Sequence, residues 1–374
     1  MPKIRIAIAG IGNCASSLVQ GVHYYAQAQG DDATVGLSHP LLSKYRVGDI
    51  DPVAAFDIDA RKVGQPLNDA IFAAPNNTKI FHRPSRGAGP VVQMSPVLDG
   101  ISEHMADYPE HMRFIPATET PVDIAQALRD ADVEVLVSYM PVGSQKATEH
   151  FAQACLDAGV GFVNCVPCFV VSDQIWAERF RQKGLPCVGD DIKAQVGATI
   201  THRTLARLFA SRGVRIDSTY QLNTGGNTDF LNMLNKSRLA SKKASKTEAV
   251  QSQLDVPLSS ENIHIGPSDY IPFLKDNKVC FLRLEGTGFG GVPLNLELRL
   301  SVEDSPNSAG VVVDAIRCCK LAMDARIAGP IDPACAWTMK HPPRQMNDPD
   351  ADEAMDQFVA RAEQLIARKT LKAS

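Results

Sequence analysis

The chain opens on Ile4-Arg-Ile-Ala-Ile-Ala9, a short apolar run, and turns at once through Gly10-Ile-Gly12-Asn13-Cys14-Ala15 into small and apolar residues at helical spacing. An apolar strand that breaks on glycines and restarts as a helix is the first unit of a parallel α/β sheet. The Gly-x-Gly-x-x-Ala spacing gives the glycines a use. They let backbone approach a pyrophosphate, and the helix that follows offers amide donors and partial positive charge. The motif alone is weak, but the strand before it and the helix after it are the context a dinucleotide site needs. Gly10, Gly12, Asn13, Cys14 and Ala15 are therefore read as cofactor-binding residues.

A second strand, Val53-Ala-Ala-Phe56, ends in Asp57, which can accept hydrogen bonds from ribose hydroxyls and favours NAD over a 2′-phosphorylated cofactor. Asp57 lies farther from the glycines than the usual spacing of about 20 residues. A surface excursion over residues 24–50 would account for the difference, and Asp59 is the rival acceptor. Asn77, Thr78, Ser138 and Pro141 end further apolar stretches and line the adenosine or nicotinamide path, or serve as ordinary turns.

Alternating apolar runs and amphipathic stretches continue to about residue 200: helix 122–130, strand 133–137, helix 145–158, strand 160–164, helix 173–183 and a strand from Pro186. From there the texture changes. Helix 200–211 precedes strands with cleaner alternation at 217–222, 279–284 and 292–301, which predict an antiparallel sheet with one wet face. Gly310 to Met323 is apolar enough to pack back on the first lobe, and 350–369 is a terminal amphipathic helix. The expected fold is a Rossmann-type, doubly wound parallel sheet with an inserted α+β domain: residues 1–200 and 304–374 form the nucleotide lobe and 201–303 the inserted one.

Composition excludes some roles. With 374 residues, 44% of them hydrophobic, and a net charge of −4, the chain can build two cores, and it lacks the charged runs of a nucleic-acid partner. No leader pattern or spanning apolar run is read, so a cytoplasmic protein without membrane contact is expected. Nine cysteines in mostly apolar context, Cys165-Val-Pro-Cys168 included, read as reduced and buried, and no transition-metal site follows from the nine scattered histidines.

The remaining chemistry sits in lysines. Lys242 and Lys246 lie in Ser241-Lys-Lys-Ala-Ser-Lys246, Lys278 follows a polar turn, and Lys340 is in Trp337-Thr-Met-Lys340-His. If 241–246 is helical, Lys242 and Lys246 share a face, as one pocket requires. Leu222-Asn223-Thr-Gly225-Gly226-Asn227-Thr-Asp229 leaves a strand into a turn that can offer amides to a phosphate while Asn and Asp fix sugar hydroxyls. These blocks, with Val188-Gly-Asp-Asp-Ile-Lys193 and Val302-Glu-Asp304-Ser-Pro-Asn-Ser-Ala309, closely resemble the inositol-3-phosphate synthase family in its shorter prokaryotic form. The resemblance runs from residue 4 to about 345.

It implies an NAD-dependent conversion of glucose 6-phosphate: C5 is oxidised, a C6 proton is removed, the enolate closes on C1, and the same NADH reduces C5 again. By resemblance, Lys242 and Lys340 stand at C5, and Lys246 and Lys278 toward C1 and the phosphate, with Lys275 competing for the role of Lys278. Asp304 and Asp229 resemble acids that orient lysines or a bound cation of unknown identity. Asp191 and Asn227 resemble residues beside nicotinamide and substrate, Gly226 and Asn223 belong to the same substrate turn, and a homotetramer is implied. Where the family shows Asp-x-Lys-Ser, this chain has Asp191-Ile-Lys193-Ala194, so Gln195 or Thr199 is expected to take part of the phosphate contact. An ordinary NAD oxidoreductase and a non-catalytic dinucleotide sensor are the alternative readings.

Overall fold

A computed structural model describes residues 3–254 and 256–373, save the side chains at 236, 240, 242, 243, 267, 268 and 370–373. Its larger sheet is built from β1 (Ile4–Ala9), β2 (Ile50–Asp57), β3 (Val92–Met94), β4 (Val135–Ser138), β5 (Gly161–Asn164), β6 (Pro186–Val188) and a two-residue strand, Gly329–Pro330. The order across it is Gly329–Pro330, β6, β5, β4, β1, β2, β3. All pairings are parallel. The order reverses at β1, the switch point at which such sheets take ligands beyond the carboxyl ends of their strands. Ile4, Ile6, Ile8, Val135, Val137, Phe162 and Val163 have no exposed surface, the near-continuous apolar pattern that a parallel sheet covered on both faces demands. The sheet and the helices α1 (Asn13–Gln27) and α2 (Gln145–Ala158) form a single core.

The second sheet contains β7 (Arg215–Gly225), β8 (Ile263–Tyr270), β9 (Asn277–Thr287) and β10 (Pro293–Glu303), in the order β8, β7, β9, β10. It differs from the antiparallel expectation, because β8 pairs parallel with β7 while β9 runs antiparallel to β7 and β10. The sequence of β8 conceals it: Gly266 and Pro267 read as strand breakers, and an edge position tolerates them with a register shift between Pro267 and Asp269. One face of this sheet buries Ile216, Ile265, Leu282 and Leu284 beneath α3 (Ala198–Ser211) and α5 (Ala240–Gln251). The other exposes Tyr220 and Phe281. Between β7 and α5 stands the short α4 (Thr228–Asn232), whose first turn is capped by Asn227.

After β10 the chain enters α6 (Asp304–Ala325), which returns across the large sheet, packing on α1 and on β4, β5 and β6. Then α7 (Asp332–Thr338) and α8 (Asp348–Ala373) close over it. No helix among the described residues is long and apolar enough to cross a membrane.

The excursion between α1 and β2 is not a bare surface loop. Leu42, Tyr45 and Val47 are buried. Tyr45 Oη donates to Asp324 Oδ2 at 2.6 Å, and the wholly buried Arg317 donates to the carbonyls of His39 (2.7 Å) and Tyr45 (3.2 Å). His39 Nδ1 donates to the buried Asp314 carboxylate at 2.6 Å, beside Arg317 and Trp337. That hydrogen bond, opposed by burial, lifts the imidazole above its ordinary value of 6.5. A histidine raised on folding contributes stability that is fully present below its unfolded pKa and is lost as pH rises through the folded one. The melting-temperature gap between wild type and His39→Phe is therefore expected to be widest below pH ~6.5 and to narrow above it. A gap that is flat with pH in differential scanning calorimetry would remove this role.

Candidate active site

The glycine loop is held from below. Gly10 has φ +87°, and a Cβ there would lie 2.7 Å from the carbonyl oxygen of Tyr139, so the chain passes β4 only because this residue has no side chain. Gly12 faces open space and starts α1 with no side chain capping the first turn, which leaves the turn's amides toward a cleft. Asp57 is placed differently from a free ribose acceptor. Its carboxylate already takes the amides of Ile11 (2.6 Å), Ile58 (2.7 Å) and Asp59 (2.9 Å) and is 8% exposed. It shapes the loop, and any contact with a ribose adds to that work. Asp59, the rival, is fully buried and clasped by Arg61; burial raises its pKa, and the Arg61 contacts reverse that to leave it below the carboxylate range.

Lys62 went unnoticed in the sequence. It is 1% exposed, and its ammonium donates to the carbonyl of Ile11 (2.8 Å) and to Asn76 Oδ1 (3.0 Å), with Asp57 at 3.9 Å. Burial pulls its pKa down. An ammonium at this depth is stable only while those oxygens surround it, so it locks the loop.

A cleft opens above the loop. Gly12, Asn13 and Cys14 line one end; Lys246, Lys278, Lys340, Asp191, Asp229 and Asp304 line it farther on. Three of the four lysines singled out by sequence thus share one cavity with the glycine loop. The side chain of Lys242 lies outside the described residues, although its backbone is in α5, four residues before Lys246.

Asp191 joins separate parts of the chain. Its Oδ1 takes Lys340 Nζ at 2.9 Å and its Oδ2 takes Ser245 Oγ at 2.6 Å, while Lys340 Nζ also reaches the carbonyl of Ile192 at 2.5 Å. One carboxylate so fixes the C-terminal lysine and the helix that carries Lys246, which is 4% exposed. Lys278 Nζ lies 3.0 Å from Asp304 Oδ1 at the start of α6. Lys193 also faces the cleft, but its ammonium is spent on the carbonyl of Ala336 (2.7 Å) and on Asp348 (3.3 Å). Burial, with Arg203 nearby, pushes it down to about 8.

Some predicted residues stand elsewhere. Gln195 does not line the cleft: its side chain packs against Gly310 and donates to the carbonyl of Gly36 at 2.6 Å. Asn223 points into the small sheet, donating to the carbonyl of Gly266 at 2.7 Å. Gly226 supplies backbone, its carbonyl taking Asn77 Nδ2 at 3.1 Å, and a Cβ on it would strike the carbonyl oxygen of Ile271 at 2.3 Å. Thr199 does line the cleft, in the first turn of α3, whose cap Gly197 and neighbour Ala194 are also there. Asn77, Thr78 and Asn13 interlock, Asn13 Oδ1 accepting from both backbone amides at 2.8 and 3.2 Å. Ser138 ends β4 and Pro141 follows in the cleft wall.

Sequence reasoning also passed over Asp276, which is 1% exposed and lies in the turn before Lys278. Burial, reinforced by Asp304, pushes its pKa up to about 6. A polar turn flanked by lysines hid it as surface. The hydroxyls of Tyr139 and Ser308 also line the cleft, buried and without a partner among the described residues. Such orphans fit a site shaped for a polar ligand, and the uncapped first turn of α1 fits a dinucleotide pyrophosphate. No group of three or more His, Cys, Asp or Glu among the described residues is arranged to hold a metal ion.

Residues 197–305 match the family described as myo-inositol-1-phosphate synthase. The chain is 53% identical over 362 residues to the inositol-3-phosphate synthase of Mycolicibacterium smegmatis, covering 96% of this chain and 98% of that one. The chain belongs to the myo-inositol-1-phosphate synthase family. The inositol-3-phosphate synthase of Corynebacterium glutamicum is likewise 53% identical, over 96% of this chain and 99% of the relative. The crystal structure of a myo-inositol-1-phosphate synthase-related protein from Thermotoga maritima superposes with TM-score 0.78 at 22% identity, covering 96% and 98% of the two chains, and so shares the fold.

Within this family member Lys62 is testable apart from catalysis. Lys62→Met leaves Asn76 Oδ1 without its buried donor and the Ile11 carbonyl with only Asn76 Nδ2 at 3.0 Å, a loss of about 1–3 kcal/mol and hence roughly fivefold to 100-fold in NAD affinity. Isothermal calorimetry of NAD binding, with circular dichroism as the control for fold, is expected to show this. Unchanged affinity would make Lys62 a packing residue only.

Proposed function

We propose that this protein rearranges D-glucose 6-phosphate into 1L-myo-inositol 1-phosphate, with NAD recycled within the site. The observation that carries the reading is the cleft itself: Lys246, Lys278 and Lys340, far apart in sequence, open on one cavity continuous with the glycine loop. Plain hydride transfer to a cofactor needs one acid or base. Several ammoniums suit a substrate whose oxygen charge appears at one carbon and then at another.

When bound, NAD would accept hydride from C5 and return it after the ring has closed. The chain's own residues do the rest. Lys340 relays the C5 hydroxyl proton, passing one of its own protons to the Asp191 carboxylate as it takes that one, and its ammonium then stabilises the oxygen there through ketone and enolate, with Lys242 beside it. Removal of a C6 proton yields the enolate, whose carbon forms the new bond to C1 as the carbonyl π pair moves to the C1 oxygen; the proton lost from C6 is returned there through the lysines. Lys246 and Lys278 stabilise the C1 oxygen as it becomes negative and supply its proton, Asp304 keeping Lys278 oriented. The uncapped turn of α3, with Thr199, is suited to the phosphate. Asn227 and Asp229, at the start of α4, face the sugar. Atoms and electrons balance without net redox, because product and substrate are isomers.

The nucleotide lobe in this reading comprises 1–200 and 304–374 and contributes Lys340, while 201–303 carries Lys242, Lys246 and Lys278 and a homotetramer contact. The exposed outer face with Tyr220 and Phe281, and Phe289 and Val292 at the β9–β10 hairpin, supports that contact. Any assisting cation would share its shell with substrate oxygens. The protein works in the cytoplasm, with no membrane or nucleic-acid partner.

The test is phosphorus NMR with glucose 6-phosphate and catalytic NAD, read beside NADH absorbance. An inositol phosphate resonance without NADH accumulation is expected, and Lys246→Ala and Lys340→Ala should each lower turnover by about 10²–10³-fold. Stoichiometric NADH would mean an ordinary dehydrogenase, and NAD binding with no turnover a sensor.

A further inference from the structure

Asp276 is a buried carboxylate that the proposed chemistry leaves unused, and five hydrogen bonds surround it. Oδ1 accepts from Ser305 Oγ (2.9 Å), Asn227 Nδ2 (3.0 Å) and Asn13 Nδ2 (3.3 Å); Oδ2 accepts from Thr78 Oγ1 (2.6 Å) and the Ser305 amide (3.1 Å). The donors come from four stretches of chain. Asn13 belongs to the glycine loop and Thr78 to the segment that Asn13 itself holds. Asn227 caps α4 beside Asp229, and Ser305 begins α6 beside Asp304. The backbone of Asp276 takes part as well, its carbonyl accepting the amide of Asp304 at 3.0 Å. Lys278, two residues along, completes the circuit through Asp304.

We infer that Asp276 is a positioning residue through which dinucleotide in the glycine loop seats Lys278 and Asp304 for the phosphosugar. The inference rests on the function proposed above. A buried carboxylate taking five hydrogen bonds has one arrangement of donors that satisfies it, and a shift of Asn13 or Thr78 on one side must be answered by Asn227 and Ser305 on the other. Ligand on the glycine side that favours this arrangement must, by linkage, favour binding on the lysine side by the same factor. Asp276 touches neither reacting atom in this scheme. It makes the lysine side ready when the cofactor is in place.

The carboxyl titrates in a useful range. The charged and titratable groups around it are Asp304 at the start of α6, with Lys278 paired to it, Cys14 in α1 and Asp229 in α4. With its pKa pushed up to about 6, the carboxyl takes a proton as pH falls through that value and cannot then accept from every donor. The Thr78 hydrogen bond holds the value down, so Thr78→Val moves it upward.

The experiment uses the full-length protein, NAD, and inorganic phosphate as a non-reacting probe of the lysine side. Phosphate affinity is measured by phosphorus NMR titration with and without saturating NAD, for wild type, Asp276→Asn and Thr78→Val. In wild type NAD is expected to tighten phosphate by about fivefold or more, within the ordinary range of coupling free energies. Asp276→Asn, in which an amide nitrogen faces donors, should reduce that factor to near one. Measured at saturating NAD, so that weaker cofactor binding by the variant does not enter, the coupling in Thr78→Val should be lost at a higher pH than in wild type, a shift that a purely structural role would not produce. Phosphate's own ionisation is common to both proteins.

Undiminished coupling in Asp276→Asn, or identical pH limbs in wild type and Thr78→Val, overturns the inference. If Asp276→Asn fails to fold, the Thr78→Val comparison decides alone. Wild type that shows coupling yet makes no inositol phosphate would sink the proposed function and leave the role of Asp276 intact. The opposite result, turnover without coupling, would do the reverse.

Discussion

Between the large sheet and the small one, the carboxylate of Asp276 lies out of water and takes hydrogen bonds from the glycine loop, the segment at Thr78, the cap of α4 and the first turn of α6. Removing such a group from water costs several kcal/mol unless its oxygens are satisfied. The four stretches are thereby tied to one mutual arrangement. Much of the rest hangs on it. The direction in which α6 leaves that point carries its 22 residues across the large sheet, and the same turn sets Asp304 against Lys278.

Asp191 performs the matching task on the far wall. Lys340 lies 149 residues away in the chain, yet its ammonium ends 2.9 Å from that carboxylate, while Ser245 on α5 occupies the other oxygen. The glycine loop is fixed by a third buried charge arrangement, Asp57 and Lys62 gripping the amide and carbonyl of Ile11. Three polar clusters thus frame one cleft, each built from groups that would be unfavourable in an apolar core without their partners. Pre-arranged charge of this sort lets a site stabilise developing oxyanions without reorganising at the moment of reaction.

Most of the fold was legible because it rests on periodicity. The glycine turn after Ala9, the helix 145–158 and the strand near 161–164 follow from apolar spacing and end signals, and β-strand alternation is plain in 279–284. The parts that were missed have physical reasons. Val92–Met94 and Gly329–Pro330 are too short to show a period, and β8 is broken by Gly and Pro that only an edge strand accepts. In the site, Lys246, Lys278 and Lys340 were visible through family resemblance, whereas a buried lysine and a surface lysine look alike in a sequence. Lys62 and Asp276 therefore passed unnoticed. Gln195 and Asn223 were assigned from position in a loop or turn, but side-chain direction is decided by packing, against Gly310 for one and within the small sheet for the other.

The proposed cycle requires that cofactor and sugar stay together in one cleft while charge moves between carbons under the lysines. Glucose 6-phosphate deuterated at C5, supplied with catalytic unlabelled NAD and followed by mass spectrometry of the inositol phosphate and of the free cofactor, tests it most directly. Retention of the deuterium in the product, with unlabelled free cofactor, is the predicted result. Deuterium in the free cofactor pool, or its loss from the product, would contradict a closed internal cycle.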